Sequence, residues 1–463
     1  MGLFGRKKKK KAPEPSIVLG ESTQPSSTQP VSNGHVIDWI ATNASILPNK
    51  IATIDVHSGR RHTYAQMHAR VAGLAGHLKS LGVEKGDRVC TLSLNSTDML
   101  DIMFACWRIG AVHLPLNFRL TAPELAFIVN DASPKAAFID RTFADTAADL
   151  QKDSQVSHWI DMDGTGGDTP FERGIASATP IPDQLDLAPT DLAVIMYSSG
   201  TTGRPKGVTL DHENMLFGSV FNLTASIGVS RHSVGLTMMP LFHIGGLNAY
   251  NTPVLYLGGT TVIVRNFEPG EALGLINDPE LGVTHLLGVP AIFNALKAHP
   301  SNATTDFSRI EVASAGAEAV PESLVNWWKD ERNLIVQEVY GMTETCGGAC
   351  FLQKSDIPAK IGSTGKALHH TRFLIVDDNS APVPAGEKGE IWMRGPNITK
   401  GYWNRPEANE KSFQGGWLKS GDIGRMDEDG YIYIEDRVKD MYISGGENVY
   451  PAEVENRSEE HTS

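Results

Sequence analysis

The sequence predicts an α/β protein: a large N-terminal domain of layered, parallel-rich sheets with helices, closed by a small β-rich subdomain. Three observations predict it. Short Val/Ile-rich runs alternate with amphipathic helical stretches from about Gly34 to Asp436, as helices covering parallel sheets require. At 463 residues the chain exceeds one small domain. Late runs at Gly389 to Arg394 and Tyr431 to Ile434 sit between Gly and Asp turns, which suits a compact β unit.

The individual elements follow from periodicity and punctuation. Arg88 to Leu94 reads as a strand after the turn Lys85-Gly86-Asp87, and Thr97 to Ile109 as a helix closed at Gly110. Ala193 to Tyr197, Thr260 to Val264, Val283 to Leu287 and Ile335 to Val339 read as buried strands. No repeat of fixed period is visible.

Composition narrows the function classes. Apolar residues are 41% and charged residues 21%, ordinary for a globular protein. A net charge of −13 argues against nucleic acid as a partner. Cys90, Cys106, Cys346 and Cys350 match no metal-ligand spacing, and so few cysteines suit a reducing, cytoplasmic setting. Apolar runs such as Leu281 to Ala298 are broken by polar residues or proline, so no membrane span is expected.

Residues 1–33 stand apart. Arg6 and Lys7 to Lys11 form a basic block that runs into Pro, Ser and Gln rather than an apolar stretch. Such a start is not a secretory signal, and the segment is expected to be a disordered tail. It is either a solvated tail or a weak peripheral membrane contact through Leu3, Phe4 and the basic block, at about 1 kcal/mol per basic residue. Gly2 meets one requirement for myristoylation, but Arg6 stands where that motif wants Ser or Thr.

The most informative stretch is Tyr197-Ser198-Ser199-Gly200-Thr201-Thr202-Gly203-Arg204-Pro205-Lys206-Gly207, directly after an apolar strand. Holding a polyphosphate needs backbone N–H groups, hydroxyl donors and a mobile positive charge. Gly200 and Gly203 allow the turn, Ser198, Ser199, Thr201 and Thr202 supply hydroxyls, and Lys206 supplies the charge. It is not a Walker loop, because Lys206 follows Pro205 and precedes Gly207.

This loop resembles the signature of the adenylate-forming superfamily, which includes acyl-CoA synthetases, luciferases and peptide-synthetase adenylation domains. Other stretches are similar to that family in order across most of residues 60–456. They include Gly86-Asp87-Arg88-Val89, Pro240-Leu241-Phe242-His243-Ile244-Gly245-Gly246, Gly316-Ala317-Glu318 and Tyr340-Gly341-Met342-Thr343-Glu344-Thr345. Trp417-Leu418-Lys419-Ser420-Gly421-Asp422, Asp436-Arg437-Val438-Lys439-Asp440 and Gly445-Gly446-Glu447 follow.

The resemblance implies an ATP-dependent acid–thiol ligase that forms an acyl adenylate, releases pyrophosphate and passes the acyl group to coenzyme A. ATP, Mg²⁺ and coenzyme A are the implied cofactors and co-substrates, and a small carboxylic acid is the implied substrate. By the same resemblance Glu344 and Thr201 hold Mg²⁺, and Lys206, Thr201, Glu344 and His243 act on the reacting groups. Gly316, Ala317, Glu318, Tyr340, Gly341 and Thr343 surround the nucleotide. Asp422, on a loop, holds the ribose, Arg437 reaches ribose or phosphate, and Lys439 is the hinge.

The family continues into a further small domain that carries a second lysine. Only residues 440–463 follow the expected hinge here. The expected layout is a tail at 1–33, an adenylation domain at 34–438, and a hinge with the start of a mostly missing C-terminal domain at 439–456. Residues 457–463 are expected to be non-native, since Arg457 to Ser463 can be encoded by a sequencing-adapter sequence. A chain lacking the second lysine is expected to adenylate slowly.

A medium- or long-chain fatty acid is the first expectation for the acid, and an aryl acid such as a cinnamate the second. The pocket is expected near His243 to Tyr250, Val289 to Phe293, Gly316 and Gly341 to Gly348. Ile244, Leu247 and Phe293 would line it, and glycines 245, 246, 347 and 348 would leave room. Transfer to a carrier protein's phosphopantetheine thiol, and nucleotide binding without catalysis, are the competing classes.

Overall fold

In the computed structural model, residues 36–198, 205–357, 359–437, 442–444 and 447–449 are described, the backbone alone at 225, 436, 437, 442–444 and 447–449. The basic tail and the residues beyond 449 lie outside this set, as do Lys439 and the loop 199–204.

Two sheets dominate. One has six strands in the order His158–Met162, Ala136–Asp140, Arg88–Leu92, Val112–Pro115, Leu192–Ser198, Lys206–Asp211. All its pairings are parallel except the last. The other has nine strands, with a parallel centre formed by Val336–Met342, Val312–Gly316, His285–Gly288, Val234–Thr237, Thr260–Ile263 and Ile51–Asp55. A third, smaller sheet is antiparallel and includes Arg372–Val376, Lys388–Arg394, Trp417–Met426 and Ile432–Arg437. This is the expected architecture of parallel-rich layers plus a β-rich unit.

Side-chain alternation explains the layering. In Arg88–Leu92, Val89 enters the core between the two large sheets, whereas Cys90 and Leu92 join the outer core. Ala136 and Phe138 alternate in the same way with Ala137 and Ile139, the period of two that a two-faced strand demands. The outer face of the nine-stranded sheet is covered by Pro269–Asn277, Pro290–Ala298 and Glu322–Arg332.

Between the two sheets lies the helix Thr97–Arg108, buried at every one of its twelve positions. A helix buried all round should be apolar, yet this one carries Asp98, Asp101 and Arg108. Each is paired. Asp98 meets Arg60 at 2.9 Å and Arg70 at 3.0 Å, Asp101 meets Arg70 at 2.9 Å, and Arg108 meets Asp38 at 2.7 Å. Burial without these partners would be costly.

Strand limits moved where the chain changed partner. Val283 to Leu287 becomes His285–Gly288, and Ile335 to Val339 becomes Val336–Met342. The second runs further because Tyr340 to Met342 leave the parallel ladder and pair antiparallel with Gly347–Phe351. The close approach explains one glycine: a Cβ on Gly341 would stand 1.9 Å from the Gly347 carbonyl oxygen.

Residues 396–403 form a strap across the join of the sheets. On one side Asn214 Nδ2 donates to the carbonyls of Pro396 at 2.9 Å and Ile398 at 3.0 Å. Thr209 Oγ1 donates to the Gly401 carbonyl at 2.7 Å, and Trp403 N–H to that of Gly207 at 2.7 Å. On the other side Thr399 N–H donates to the Glu344 carbonyl at 2.7 Å and Asn397 Nδ2 to that of Thr345 at 3.2 Å. Asn214→Ala leaves two buried carbonyls without their donor, at a cost of about 2–4 kcal/mol. Its unfolding midpoint in urea should fall accordingly; an unchanged midpoint would show that the strap is not held by Asn214.

Candidate active site

The strand Leu192–Ser198 and the strand Lys206–Asp211 form a hairpin whose last pair is Ser198 opposite Lys206. The hydroxyl-rich turn therefore joins two antiparallel strands instead of opening a helix, unlike a Walker loop. Ser199, Gly200, Thr201, Thr202 and Gly203 lie outside the described residues. Ser198 and Lys206, the two ends of the turn, are both half-buried at the carboxyl edge of the six-stranded sheet.

The nine-stranded sheet delivers the other groups at its own carboxyl edge, where ligand sites of open α/β sheets lie. Val312–Gly316 and Val336–Met342 run parallel with Gly316 beside Val339, so the Gly316-Ala317-Glu318 turn comes next to Tyr340. A Cβ on Gly316 would stand 2.1 Å from the Val339 carbonyl oxygen, and Ala317 adopts a positive φ of 67°. Thr343–Thr345 forms one 3₁₀ turn directly after the strand, and buries Thr343 and Glu344.

Tyr402, on the strap, connects the two edges. Its hydroxyl donates to Glu344 Oε1 at 3.0 Å, and Lys206 Nζ lies 4.9 Å from the centroid of its ring. Burial raises the Glu344 carboxyl above the usual carboxylate range. The Tyr402 hydroxyl and the Lys206 charge oppose that rise, and the Asp422 charge adds to it. Sequence reasoning missed Tyr402. Its signal was the Gly401-Tyr402-Trp403 run, whose glycine lets the strap meet Lys206–Asp211 edge to edge.

Asp422 is not on a loop. It lies within the strand Trp417–Met426, 6% exposed. Gly421, at φ 76°, and a register shift opposite Glu390 and Trp392 kink that strand, so Asp422 is presented as a loop residue would be. Its Oδ2 accepts from the Tyr340 hydroxyl at 2.5 Å, and burial together with the Asp422 charge drives the phenol far above its ordinary value. Arg437 is opposite Asp422 in the ladder.

His243 caps the helix Ile244–Asn248, its Nδ1 accepting from the Gly245 N–H at 3.1 Å. That bond leaves Nε2 as the protonated nitrogen of a neutral ring. Burial first, and then the Arg119 charge, hold the imidazole below its ordinary pKa.

The expected acid pocket is met in part. Leu247 and Phe293 are fully buried in the hydrophobic cores, and Ile244 nearly so. Gly246 and Gly348 serve close packing: a Cβ would stand 2.0 Å from the Pro240 carbonyl oxygen at Gly246 and 3.1 Å from Leu223 at Gly348. A small cavity keeps Gly245, Gly246 and Tyr250 of the expected His243 to Tyr250 stretch and adds Met238, Met239 and Leu287, among others. Tyr250 is held there by a 2.6 Å hydrogen bond to Ser314.

The donor chemistry fits Mg²⁺. Among the described residues no group of three metal-ligating side chains exists, and none is needed for a phosphate-bound Mg²⁺, which takes one or two carboxylates with phosphates and water. Glu344 is a hard oxygen ligand, and a dication beside it would offset the burial and the Asp422 repulsion.

With this geometry in place, the comparisons with known proteins agree. The AMP-binding enzyme family model matches residues 40–403, and the chain belongs to that family. A feruloyl-CoA synthase of an Amycolatopsis species is 38% identical over 418 residues, covering 90% of this chain and 82% of that one. The long-chain-fatty-acid–CoA ligase FadD13 of Mycobacterium tuberculosis is 35% identical over 427 residues, covering 90% and 82%. The o-succinylbenzoate CoA synthetase MenE of Bacillus subtilis, solved with its acyl-adenylate intermediate, superposes with a TM-score of 0.81 at 32% identity, over 90% of this chain and 82% of that one. This protein is thus an enzyme of the AMP-forming ligase class, in which ATP, Mg²⁺ and coenzyme A are used.

Two outcomes test the site's electrostatics. Tyr402→Phe removes a donor to the Glu344 carboxylate, so Mg·ATP affinity measured by calorimetry should fall about tenfold. The acid limb of that binding should also move to higher pH; an unmoved limb would limit Tyr402 to packing. Glu338, buried two residues before Tyr340, is raised from 4.5 to about 8 by desolvation. A carboxyl raised on folding costs stability as pH climbs from its unfolded to its folded pKa, by about 1.4 kcal/mol per unit. Glu338→Gln should therefore gain on the native enzyme in thermal midpoint between pH 5 and pH 8, and the two should run parallel if the group is not titrating there.

Proposed function

We propose that this enzyme activates a compact carboxylic acid as its acyl adenylate and transfers the acyl group to coenzyme A. The observation that carries the reading is the convergence of Lys206 and Glu344 on Tyr402, which brings the ends of a phosphate-type turn to a buried carboxylate.

The substrate carboxylate attacks the α-phosphorus of ATP in line, forming the mixed anhydride and expelling pyrophosphate. No protein nucleophile is needed, because the acid is already an anion. Lys206 and the hydroxyls of Ser198, Ser199, Thr201 and Thr202 bind the triphosphate and the charge that develops on it. Glu344, with Thr201, would hold Mg²⁺, which would supply charge neutralisation on the phosphate oxygens. Tyr340 lies against the adenine beside Gly316, Ala317 and Glu318, with Gly341 and Thr343 below. Asp422, held by the Tyr340 hydroxyl, accepts from the ribose, and Arg437, on the neighbouring strand, is assigned to ribose or phosphate. A neutral His243 stands over the acid with its Nε2 proton available. A thiol then attacks the anhydride carbonyl and expels AMP, with Lys439 as the pivot of a domain rotation between the steps.

For the acid, the packed positions of Leu247, Phe293 and Gly348 support an aryl or similarly compact acid over a long fatty chain. The 38% identity to a feruloyl-CoA synthase supports the same choice. A domain layout of 34–438 for adenylation and 439–456 for the hinge fits this reading. A reducing cytoplasmic setting is supported by the four cysteines, all buried free thiols.

Acid-dependent ATP–pyrophosphate exchange over a panel of aryl and fatty acids tests the reading. The chain should be assayed both alone and fused to a relative's C-terminal domain. Lys206→Ala and Glu344→Gln should each lower exchange about 100-fold. Exchange with no acid dependence, or full activity in both variants, would overturn the assignment. A carrier-protein acceptor would show as acyl release to a phosphopantetheinylated carrier but not to coenzyme A.

A further inference from the structure

The small β-rich unit holds a second feature that the reaction above does not use. A cleft of about 420 Å³ is lined by His369, His370, Arg372, Arg394, Gly395 and Pro396. Two of the six are arginines, two are histidines, and none is acidic. All four of these side chains are exposed. The body around them is acidic, at a net charge of −13.

The two arginines are cross-strand partners: Arg372 stands directly opposite Arg394 where the strands Arg372–Val376 and Lys388–Arg394 meet. Like charges facing each other across a ladder are destabilising. Arg60, Arg70, Arg108 and Arg405, by contrast, are each matched by a carboxylate. Among the described residues neither Arg372 nor Arg394 makes an ion pair. The backbone is shaped to hold them together: a Cβ on Gly395 would stand 2.1 Å from the His370 carbonyl oxygen. The His370 N–H is fixed by Asn222 Oδ1 at 2.9 Å. One rim is aromatic. The His370 ring meets Phe217 edge-on at 4.9 Å and lies 6.0 Å from Phe221, which is 36% exposed.

We propose that this cleft is a binding site for a phosphate dianion, separate from the adenylation site. Two guanidinium forks converge on one space and can each donate in pairs to phosphate oxygens. The imidazoles add donors on the same side, and the aromatic rim suits a flat ring attached to the phosphate. None of the six lining residues is among those that converge on Glu344. The phosphate can be free, or it can be carried by a nucleotide; both present the same dianion to Arg372 and Arg394.

Calorimetric titration of the whole chain tests this, with a non-hydrolysable ATP analogue and Mg²⁺ present in excess to fill the nucleotide site. The probes are inorganic phosphate and adenosine 3′,5′-bisphosphate. Native protein should bind both, more weakly as NaCl is raised. The double variant Arg372→Gln, Arg394→Gln should lose at least tenfold in affinity with a thermal midpoint no lower than that of the native protein. Arg394→Lys, which keeps the charge but not the fork, should fall between them and guards against misfolding of the double variant. Tighter binding of the bisphosphate would identify a nucleotide as the source, and equal binding would identify phosphate alone. Absence of binding by the native protein under these conditions, or equal binding by the double variant, overturns the proposal.

Discussion

The strap at 396–403 is the constraint on which the site depends. Neither large sheet contains a complete site. The six-stranded sheet offers a hydroxyl-rich turn and a lysine, and the nine-stranded sheet offers a glutamate, a tyrosine and a tight glycine turn. The strap binds one through Asn214, Thr209 and Gly207, and the other through the backbone of Glu344 and Thr345. Almost all of these bonds use backbone carbonyls. They fix the spacing of the edges independently of which acid is present, and they place Tyr402 between the two charges.

For Glu344, burial outweighs its hydrogen bonds and the Lys206 charge. Glu344 and Asp422 are two carboxylates within each other's field, both nearly buried, with one lysine nearby. Each is held by a phenol, Tyr402 in one case and Tyr340 in the other. A phenol donates one strong hydrogen bond while staying neutral, so each of these contacts orients a carboxylate without cancelling its charge. A buried carboxylate such as Glu344 suits a dication.

Much of this was legible in the sequence, for identifiable reasons. The parallel-rich layers could be read because Val89, Cys90, Ala136 and Ala137 alternate between two cores and so leave a plain apolar run. The family motifs could be read because phosphate binding restricts residue type: glycine, hydroxyl and lysine over a short span. Asp422 was misread because the kink at Gly421 imitates a loop, and sequence does not report that a strand continues through it. Phe293 and Leu247 were misplaced because apolar residues beside a motif are as often core as pocket. Tyr402 was invisible because its partners, Lys206 and Glu344, are distant along the chain, and only the strap's register brings them into contact.

The helix Thr97–Arg108 has a consequence for how such an enzyme can vary. Both large sheets rest their inner faces on it, so the gap between them is set by a helix of about 10 Å diameter. Its charged residues are satisfied from several elements at once, which makes it hard to shift or tilt. It acts as a fixed gauge. Loop replacements around the rim can recast which acid enters, while the interval across which phosphate and carboxylate must meet stays constant.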